Sequence, residues 1–278
     1  MNSAQVMKCR TNQILTTFGI RRKGFYSPYD HAHQADWEVP AYPHVKEYFD
    51  RLSQRFGAFL GAMDDNEPDF LRIDAEEDGG MFQSRFLSAL DACVVYTGIT
   101  EFKPARVLEV GSGSTTHFIA RAIADHGLDT EVTCIDPEPR CEIAALPVNF
   151  ERRVLEAGDV DRIAELDDGD VLFIDSSHFM QQGFDVDILF NRGFPSLKPG
   201  VIVHVHDVFL PYGYPKGWEW LRFNEQQALV GWVLSGYFET LFATQYVWRD
   251  MAEELRQVCR TFRPDLKGDG GSLWLRKA

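Results

Sequence analysis

The chain has 278 residues, 45% of them hydrophobic, and a formal net charge of −14. That length fits one large domain or one domain with an attached subdomain. The acidity argues against a broad phosphate-binding surface, so nucleic acid is not an expected partner. No apolar run reaches the ~20 residues that span a bilayer, so no membrane partner is expected. The stretch from Met1 to Ile20 lacks the continuous apolar region of a secretory signal. Five cysteines (Cys9, Cys93, Cys134, Cys141, Cys259) without C-x-x-C spacing point to a reducing compartment, read here as the cytoplasm, and to no structural zinc.

Residues 1 to 43 alternate aromatics and histidines with polar residues (Phe25, Tyr26, Tyr29, His31, His33, Trp37, Tyr42), and Pro28, Pro40 and Pro43 interrupt any helix. They read as an irregular arm packed on the main domain, or as a lid or dimer arm. From His44 to Met63, Val45, Tyr48, Phe49, Leu52, Phe56, Phe59, Leu60 and Met63 recur at helical spacing. Asp64, Asp65, Asn66 and Pro68 are expected to end that helix, and an acidic loop follows to Asp78-Gly79-Gly80. A second amphipathic helix is expected from about Met81 to Thr97, with Phe82, Phe86, Leu87, Leu90, Val94 and Val95 on one side. The division is therefore an arm and helical extension over 1–80 and a main domain over 81–278.

After Lys103-Pro104 the pattern becomes strand–helix alternation. Strands are expected at Val107–Val110, Glu131–Asp136, Arg153–Glu156, Asp170–Asp175 and Val201–Asp207. Helices are expected at Thr115–Ala124, Cys141–Ala145, Asp161–Leu166 and Asp185–Asn191. Such alternation predicts a doubly wound, mainly parallel sheet covered on both faces. The tail departs from it: a long helix over Trp218–Leu234, a strand within Tyr237–Val247, and a helix over Asp250–Val258. Gly268-Asp269-Gly270-Gly271 then leads into a last segment, Ser272–Leu275, that closes the sheet as an edge hairpin.

Ligands of open α/β sheets bind at the carboxyl ends of the strands. Here every strand ends in a telling residue. The first ends in Glu109-x-Gly111-x-Gly113, and a helix N-terminus follows it. The glycines allow close approach to unpaired backbone N–H groups there. The second ends in Asp136, placed to accept hydrogen bonds from a ribose diol. Gly158-Asp159 follows the third, Asp175-Ser176-Ser177-His178 ends the fourth and His206-Asp207 the fifth. A nicotinamide-binding loop prefers a third glycine where this chain has Thr116, and Glu109 would repel a pyrophosphate. A cofactor with an ammonium, a ribose and no phosphate fits better, and S-adenosylmethionine is such a molecule.

Val107-Leu108-Glu109-Val110-Gly111-Ser112-Gly113-Ser114, Ile135-Asp136, Gly158-Asp159, Phe173-Ile174-Asp175-Ser176-Ser177-His178 and Leu197-Lys198-Pro199-Gly200 resemble the Rossmann-like (class I) S-adenosylmethionine-dependent methyltransferases. His204-Val205-His206-Asp207-Val208-Phe209-Leu210-Pro211 and Gly271-Ser272-Leu273-Trp274-Leu275-Arg276 are similar to a bacterial small-molecule O-methyltransferase-like subgroup. The resemblance implies an α/β fold with a seven-stranded sheet, its C-terminal hairpin strand antiparallel. It implies that Glu109, Gly111, Ser112, Gly113 and Thr115 hold the methionine moiety, Asp136 the ribose and Asp159, beside Gly158, the adenine. Asp175 also contacts the cofactor. Thr115 stands where many members carry a third glycine.

In metal-dependent members a divalent ion such as Mg²⁺ or Mn²⁺ sits on acids at the strand ends matching Asp175 and Asp207. The asparagine that follows the second acid there is Val208 here, so the third ligand is missing or supplied elsewhere, with His178 and His206 as candidates. A histidine ligand would shift the preference toward Mn²⁺, Zn²⁺ or Fe²⁺. Without a metal, Asp175 would simply contact cofactor or substrate. His178 also stands where those enzymes place a lysine base, and an imidazole can take a hydroxyl proton near neutral pH. His204, inside the strand, reads as a core residue. His206 and the aromatic loop after Asp207, with Tyr212 and Tyr214, are candidates for the acceptor side, and Glu225-Gln226 on the next helix either reaches the same cleft or lies on a solvated face. The expected activity is methyl transfer to a hydroxyl of a small molecule (sugar, phenol or natural product). The alternatives are a metal-dependent hydroxylase or hydrolase on the same fold, or a non-catalytic cofactor-binding protein, with the arm as a homo-oligomer contact.

Overall fold

The computed structural model describes residues 3–21, 23–24, 29–34, 36–76, 81–84, 87–262 and 270–278. Phe25, Tyr26, Pro28, Asp78-Gly79-Gly80, Phe86 and Gly268-Asp269, each part of an expectation above, lie outside the described residues. The chain forms two compact units, one of Met1–Val39 with Lys216–Arg222 and one of Pro40–Pro215 with Phe223–Ala278. In the first, helix α1 (Ser3–Thr17) leaves Met7 and Ile14 exposed, as is Phe18 just after it, and Lys216 pairs with Glu38 at 2.6 Å.

The second unit opens with three helices, α2 (Pro43–Asp50), α3 (Ser53–Asp65) and α4 (Glu67–Glu76). The single helix expected over 44–63 is broken at Arg51-Leu52, yet Phe49 and Phe56 still meet edge to face across the break at 5.8 Å. The expected acidic loop is largely α4, with Phe70 and Ile73 buried. Pro68 falls in its first turn, where a missing N–H costs nothing, so the proline opens a helix instead of ending one. Asn66, between α3 and α4, donates from Nδ2 to the Ala62 carbonyl at 3.1 Å and to Thr100 Oγ1 at 2.9 Å, which ties the end of α3 to the segment ahead of the sheet.

Helix α5 (Ala89–Phe102) starts later than expected and is buried nearly all round. Its cap explains the start: Ser88 Oγ accepts from the Asp91 amide at 3.0 Å, the short-range signature of a helix N-terminus. The sheet then follows as β1 (Arg106–Val110), α6 (Ser114–His126), β2 (Glu131–Ile135), β3 (Asn149–Glu151), α7 (Val160–Ala164), β4 (Val171–Ile174), α8 (Asp185–Ile188), a π-helical turn over Leu189–Gly193, α9 (Phe194–Ser196) and β5 (Ile202–Val205). It ends with α10 (Glu225–Leu234), β6 (Phe238–Ala243), α11 (Thr244–Asp250), α12 (Ala252–Leu255) and β7 (Leu273–Lys277).

The seven strands lie in the order β3-β2-β1-β4-β5-β7-β6, parallel from β3 to β5 and antiparallel where β7 pairs with β5 and β6. This is the expected doubly wound α/β sheet. β4 and β5 are buried along their whole length, as parallel strands covered on both faces must be. The last strand is not at the edge; it is inserted between β5 and β6.

Four local expectations fail. β3 lies at 149–151, not 153–156, because the Arg153 amide turns back to the Glu151 carbonyl at 2.9 Å while its guanidinium pairs with Glu151 and Asp159. Cys141–Ala145 makes turns instead of a helix. The long helix begins only at Glu225, after Arg222 adopts a left-handed φ of 60° that no helix accommodates. The helix expected over Asp250–Val258 is only the short α12, and the preceding α11 takes up the end of the span in which a strand was expected.

Trp274 of β7 is fully buried and lies against α5 where Gly98 offers no side chain; a Cβ there would stand 2.5 Å from Trp274 Cζ2. Gly98→Ala should therefore cost about 1–3 kcal/mol through overpacking, despite alanine's better helix propensity. Urea denaturation measures this, and an unchanged midpoint would mean the indole moves aside freely.

Candidate functional site

The carboxyl ends of β1, β2 and β4 surround a cavity of about 440 Å³, within the size range of small-molecule sites. Val110 to Thr115, Ile135 to Glu138, and Asp175 to Ser177 line it, with Arg140, Val154, Leu155 and Phe184 among the rest. The loop after β1 owes its shape to Gly111, which has φ +85°; a Cβ there would lie 1.8 Å from the Asp175 carbonyl oxygen. Its amide donates to the Ile135 carbonyl at 3.0 Å, and the Asp175 amide donates to the Val110 carbonyl at 2.9 Å. Three strand ends are thus locked at one point.

Glu109 is fully buried beneath this loop. Thr115 Oγ1 donates to its Oε1 at 3.0 Å, Thr116 Oγ1 to its Oε2 at 2.8 Å, and Cys134 Sγ approaches Oε2 at 3.1 Å. Thr116 also accepts from the Gly113 amide at 2.9 Å. The threonines in place of further glycines therefore tie the loop to the acid below it. Burial lifts the Glu109 carboxyl to about 7, against those hydrogen bonds, which favour its charged form. Asp136 Oδ2 accepts from the Ser112 amide at 2.6 Å and Ser112 Oγ at 3.1 Å, and Oδ1 accepts from the Glu138 amide at 2.7 Å. A carboxylate has about four acceptor positions, so Asp136 can still receive a donor from the cavity it lines.

Gly158 and Asp159 are absent from the cavity wall. The Asp159 carboxylate receives Arg153 Nη1 and Nη2 at 2.8 and 2.7 Å and the Glu156 amide at 2.8 Å, which hold its pKa below the ordinary range. Val154 and Leu155, in the segment just after β3, line the cavity instead. Sequence reasoning missed them because that segment resembles a strand.

A second cluster stands at the ends of β4 and β5. One ligand atom each from Asp175, His178 and Asp207 lies within 4.8 Å of the others. His178 Nε2 is 3.6 Å from Asp175 Oδ1 and 3.5 Å from Asp207 Oδ2. That nitrogen is buried and makes no hydrogen bond among the described residues. On the ring's other side, Nδ1 bonds Glu225 Oε1, and both side chains are buried. Burial works against a charged His178, but Glu225, Asp207 and Asp175 outweigh it and raise its pKa to about 9. Both His178 (φ 62°) and Asp207 (φ 57°) hold left-handed backbones, conformations that non-glycine residues adopt at a cost and that concentrate at functional sites.

The remaining expectations fall outside this cluster. His206 turns its Nδ1 toward His204 Nε2 at 3.4 Å, so His178 rather than His206 completes the group with the two acids. His204 is fully buried and stacked on Phe173 at 3.9 Å. Tyr212 Oη donates to Asp250 at 2.7 Å, and Tyr214 Oη accepts from the Gln226 amide at 3.2 Å. Neither tyrosine lines the cavity. Glu225, left open between cleft and solvated face, is on neither: it is fully buried behind His178.

Residues 108–208 match a family model described as a methyltransferase domain. No curated protein matches the chain. Among solved structures, the SAH-bound Podospora anserina methyltransferase PaMTH1 is 16% identical, with 92% of this chain and 100% of that chain covered at a TM-score of 0.41. Cofactor-bound Rv0187 from MTB is 16% identical over 86% of this chain and 99% of that one at 0.42. An O-methyltransferase from Bacillus cereus in complex with SAH is 13% identical over 77% and 91% at 0.37. No helix among the described residues is long and apolar enough to cross a membrane.

Glu109 generates a pH prediction. Its carboxyl is raised from 4.5 to about 7 in the folded chain, so the folded state holds the proton more tightly than the unfolded one. The associated stability is present below about pH 4.5 and is lost as pH rises through about 7, on the order of 3 kcal/mol in all. Urea denaturation of the ligand-free protein should show this decline, and Glu109→Gln should flatten it. Parallel pH profiles for the two proteins would refute the assignment.

Proposed function

We propose that this chain, which carries a methyltransferase domain over residues 108–208, transfers the methyl group of S-adenosylmethionine to a hydroxyl oxygen of a small molecule. A divalent cation held by Asp175, Asp207 and His178 would take part. The observation that carries the reading is the adjacency of two sites: a cavity walled by the glycine loop and Asp136, and at its rim two half-buried acids around a buried imidazole nitrogen with no hydrogen bond.

The residues present fit the methyl donor. The glycine loop lets the donor's methionine end approach the backbone, and the buried Glu109 beneath it favours an ammonium over a phosphate. Asp136 has acceptor capacity left for ribose hydroxyls. Leu155 and Val154 offer an apolar wall to the adenine, the part played in the sequence reading by Asp159. Bound there, S-adenosylmethionine supplies an electrophilic methyl carried by a sulfonium.

The cluster also fits a divalent cation. Two carboxylates with an imidazole nitrogen between them match the donor preferences of Mn²⁺ and Fe²⁺ more than those of Mg²⁺. The histidine's far nitrogen is held by a carboxylate, as is usual for metal-binding histidines. Such an ion would lower the pKa of an acceptor hydroxyl and orient its oxygen. Asp175 belongs to both sites, since it lines the cavity and joins the cluster. The chain's contribution is therefore alignment of acceptor and methyl donor, a large source of rate in bimolecular transfers. A second reading has one observation behind it: His178 Nε2 lies 3.6 and 3.5 Å from the Asp175 and Asp207 carboxylates, which favour a protonated ring. An imidazolium there would itself neutralise the two acids and would orient the acceptor by donating from Nε2, without a metal.

Calorimetry with S-adenosylmethionine should show one site per chain, and hydroxylated acceptor libraries should yield S-adenosylhomocysteine. Asp207→Asn should lower turnover by about a hundredfold or more while donor binding changes little, since second-sphere changes alone cost 10–100-fold at metal sites. EDTA should abolish turnover and Mn²⁺ restore it. Full activity in EDTA would favour the metal-free reading, and no donor binding would remove both.

A further inference from the structure

We infer that the turn Asn224-Glu225-Gln226 at the start of α10 is the positioning element of the active cleft, holding the His178 segment and the loop after Asp207 at once. The Asn224 amide donates to the His178 carbonyl at 3.1 Å, and Asn224 Oδ1 accepts from the Met180 amide at 2.7 Å. Glu225 Oε1 meets His178 Nδ1. One residue on, Gln226 Oε1 accepts from the Phe209 amide at 2.8 Å and its Nε2 donates to the Tyr212 carbonyl at 3.2 Å. The Gln226 amide donates to Tyr214 Oη at 3.2 Å. Successive side chains thus grip the loops after β4 and β5.

The cost of the arrangement argues for a function. Glu225 and Gln226 are fully buried, Glu225 Oε2 has no partner among the described residues, and neither has His178 Nε2. Unpaired buried polar atoms weaken a fold, and apolar residues of similar size would pack the same space at least as well. What the carboxylate provides that an apolar residue cannot is ring orientation. An ionised Glu225 can only accept, so it keeps the proton on Nδ1 and presents Nε2 to Asp175 and Asp207. The left-handed backbones of His178 and Asp207 need such external restraint to persist. Glu225 acts through His178 and is a positioning residue. The inference rests on the proposed cluster only for what Nε2 receives.

The test uses the full chain with ¹⁵N-labelled histidine and Mn²⁺ alone as the probe, with no donor or acceptor present. In the metal-free wild type, read above about pH 9 where the ring is neutral, His178 should show a protonated Nδ1 and a bare Nε2; Mn²⁺ affinity is measured separately. Glu225→Gln keeps the volume and removes the obligate acceptor. It should shift the His178 nitrogen resonances toward a mixed tautomer and weaken Mn²⁺ binding 10–100-fold, and Glu225→Asp should recover part of that affinity. An unchanged His178 signature with unchanged Mn²⁺ affinity in folded Glu225→Gln would overturn the inference. Should that variant fail to fold, Asn224→Ala gives the decision: a shifted His178 signature supports the clamp and an unchanged one refutes it. If the wild type binds no Mn²⁺, the metal reading falls, and the tautomer still decides the role of Glu225.

Discussion

The structure turns on the contact between Gly111 and the carbonyl of Asp175. A Cβ at position 111 would sit 1.8 Å from that oxygen, so β1 and β4 can finish side by side only with glycine there. The loop that forms the cavity wall and the strand end that carries the acid–histidine cluster are joined through this contact. The β2 carbonyl at Ile135 closes the same point from the other side. The cavity wall and the acid–histidine cluster are thereby fixed at one junction, the kind of preorganisation that the proposed transfer would use.

Around that junction the electrostatics are handled in two ways. Glu109 is isolated under the glycine loop, and burial holds its carboxyl near 7, ready to ionise against a cation. At the other end Asp175 and Asp207 face one another with His178 between them, and Glu225 stands behind the histidine. Burial pushes the Asp207 carboxyl up, against the pull of His178. Three carboxylates around one buried imidazole, Glu225 buried and the two aspartates half-buried, favour a cation there, which the imidazolium or a metal would supply. The insertion of β7 between β5 and β6 supports this end of the sheet. Asp91 on α5 accepts from Ser272 Oγ at 2.7 Å and the Gly271 amide at 3.0 Å, and the Gly271 carbonyl accepts from the Val208 amide at 2.9 Å.

Much of the fold is legible in the residues because apolar runs ending in Gly, Asp or His recur in order. A buried parallel strand needs such runs, and its end is where the chain meets solvent or ligand. Errors concentrate where a local signal has two uses. Pro68 was expected to stop a helix and starts one. Ser88 caps α5, and the apolar spacing ahead of it hid that start. Arg153 leaves the sheet because its guanidinium finds Glu151 and Asp159, two residues before it and six after, a local pairing that the apolar period of a strand does not register. For the same reason Asp159 is committed to arginine, and Val154 and Leu155 take its place on the cavity wall.

The sequence alone determined the α/β class, the glycine loop over Glu109, Asp136 at the second strand end, and Asp175, His178 and Asp207 as residues of one cleft. These follow from short-range rules: strand period, glycine freedom, and the placement of strand ends at one edge of a parallel sheet. Only the tertiary structure decided that His178 and not His206 faces the two acids, that β7 is an inner strand, and that Glu225 lies behind His178. Each depends on contacts between residues far apart in the chain, and side-chain direction at such contacts is set by packing, which no local pattern encodes.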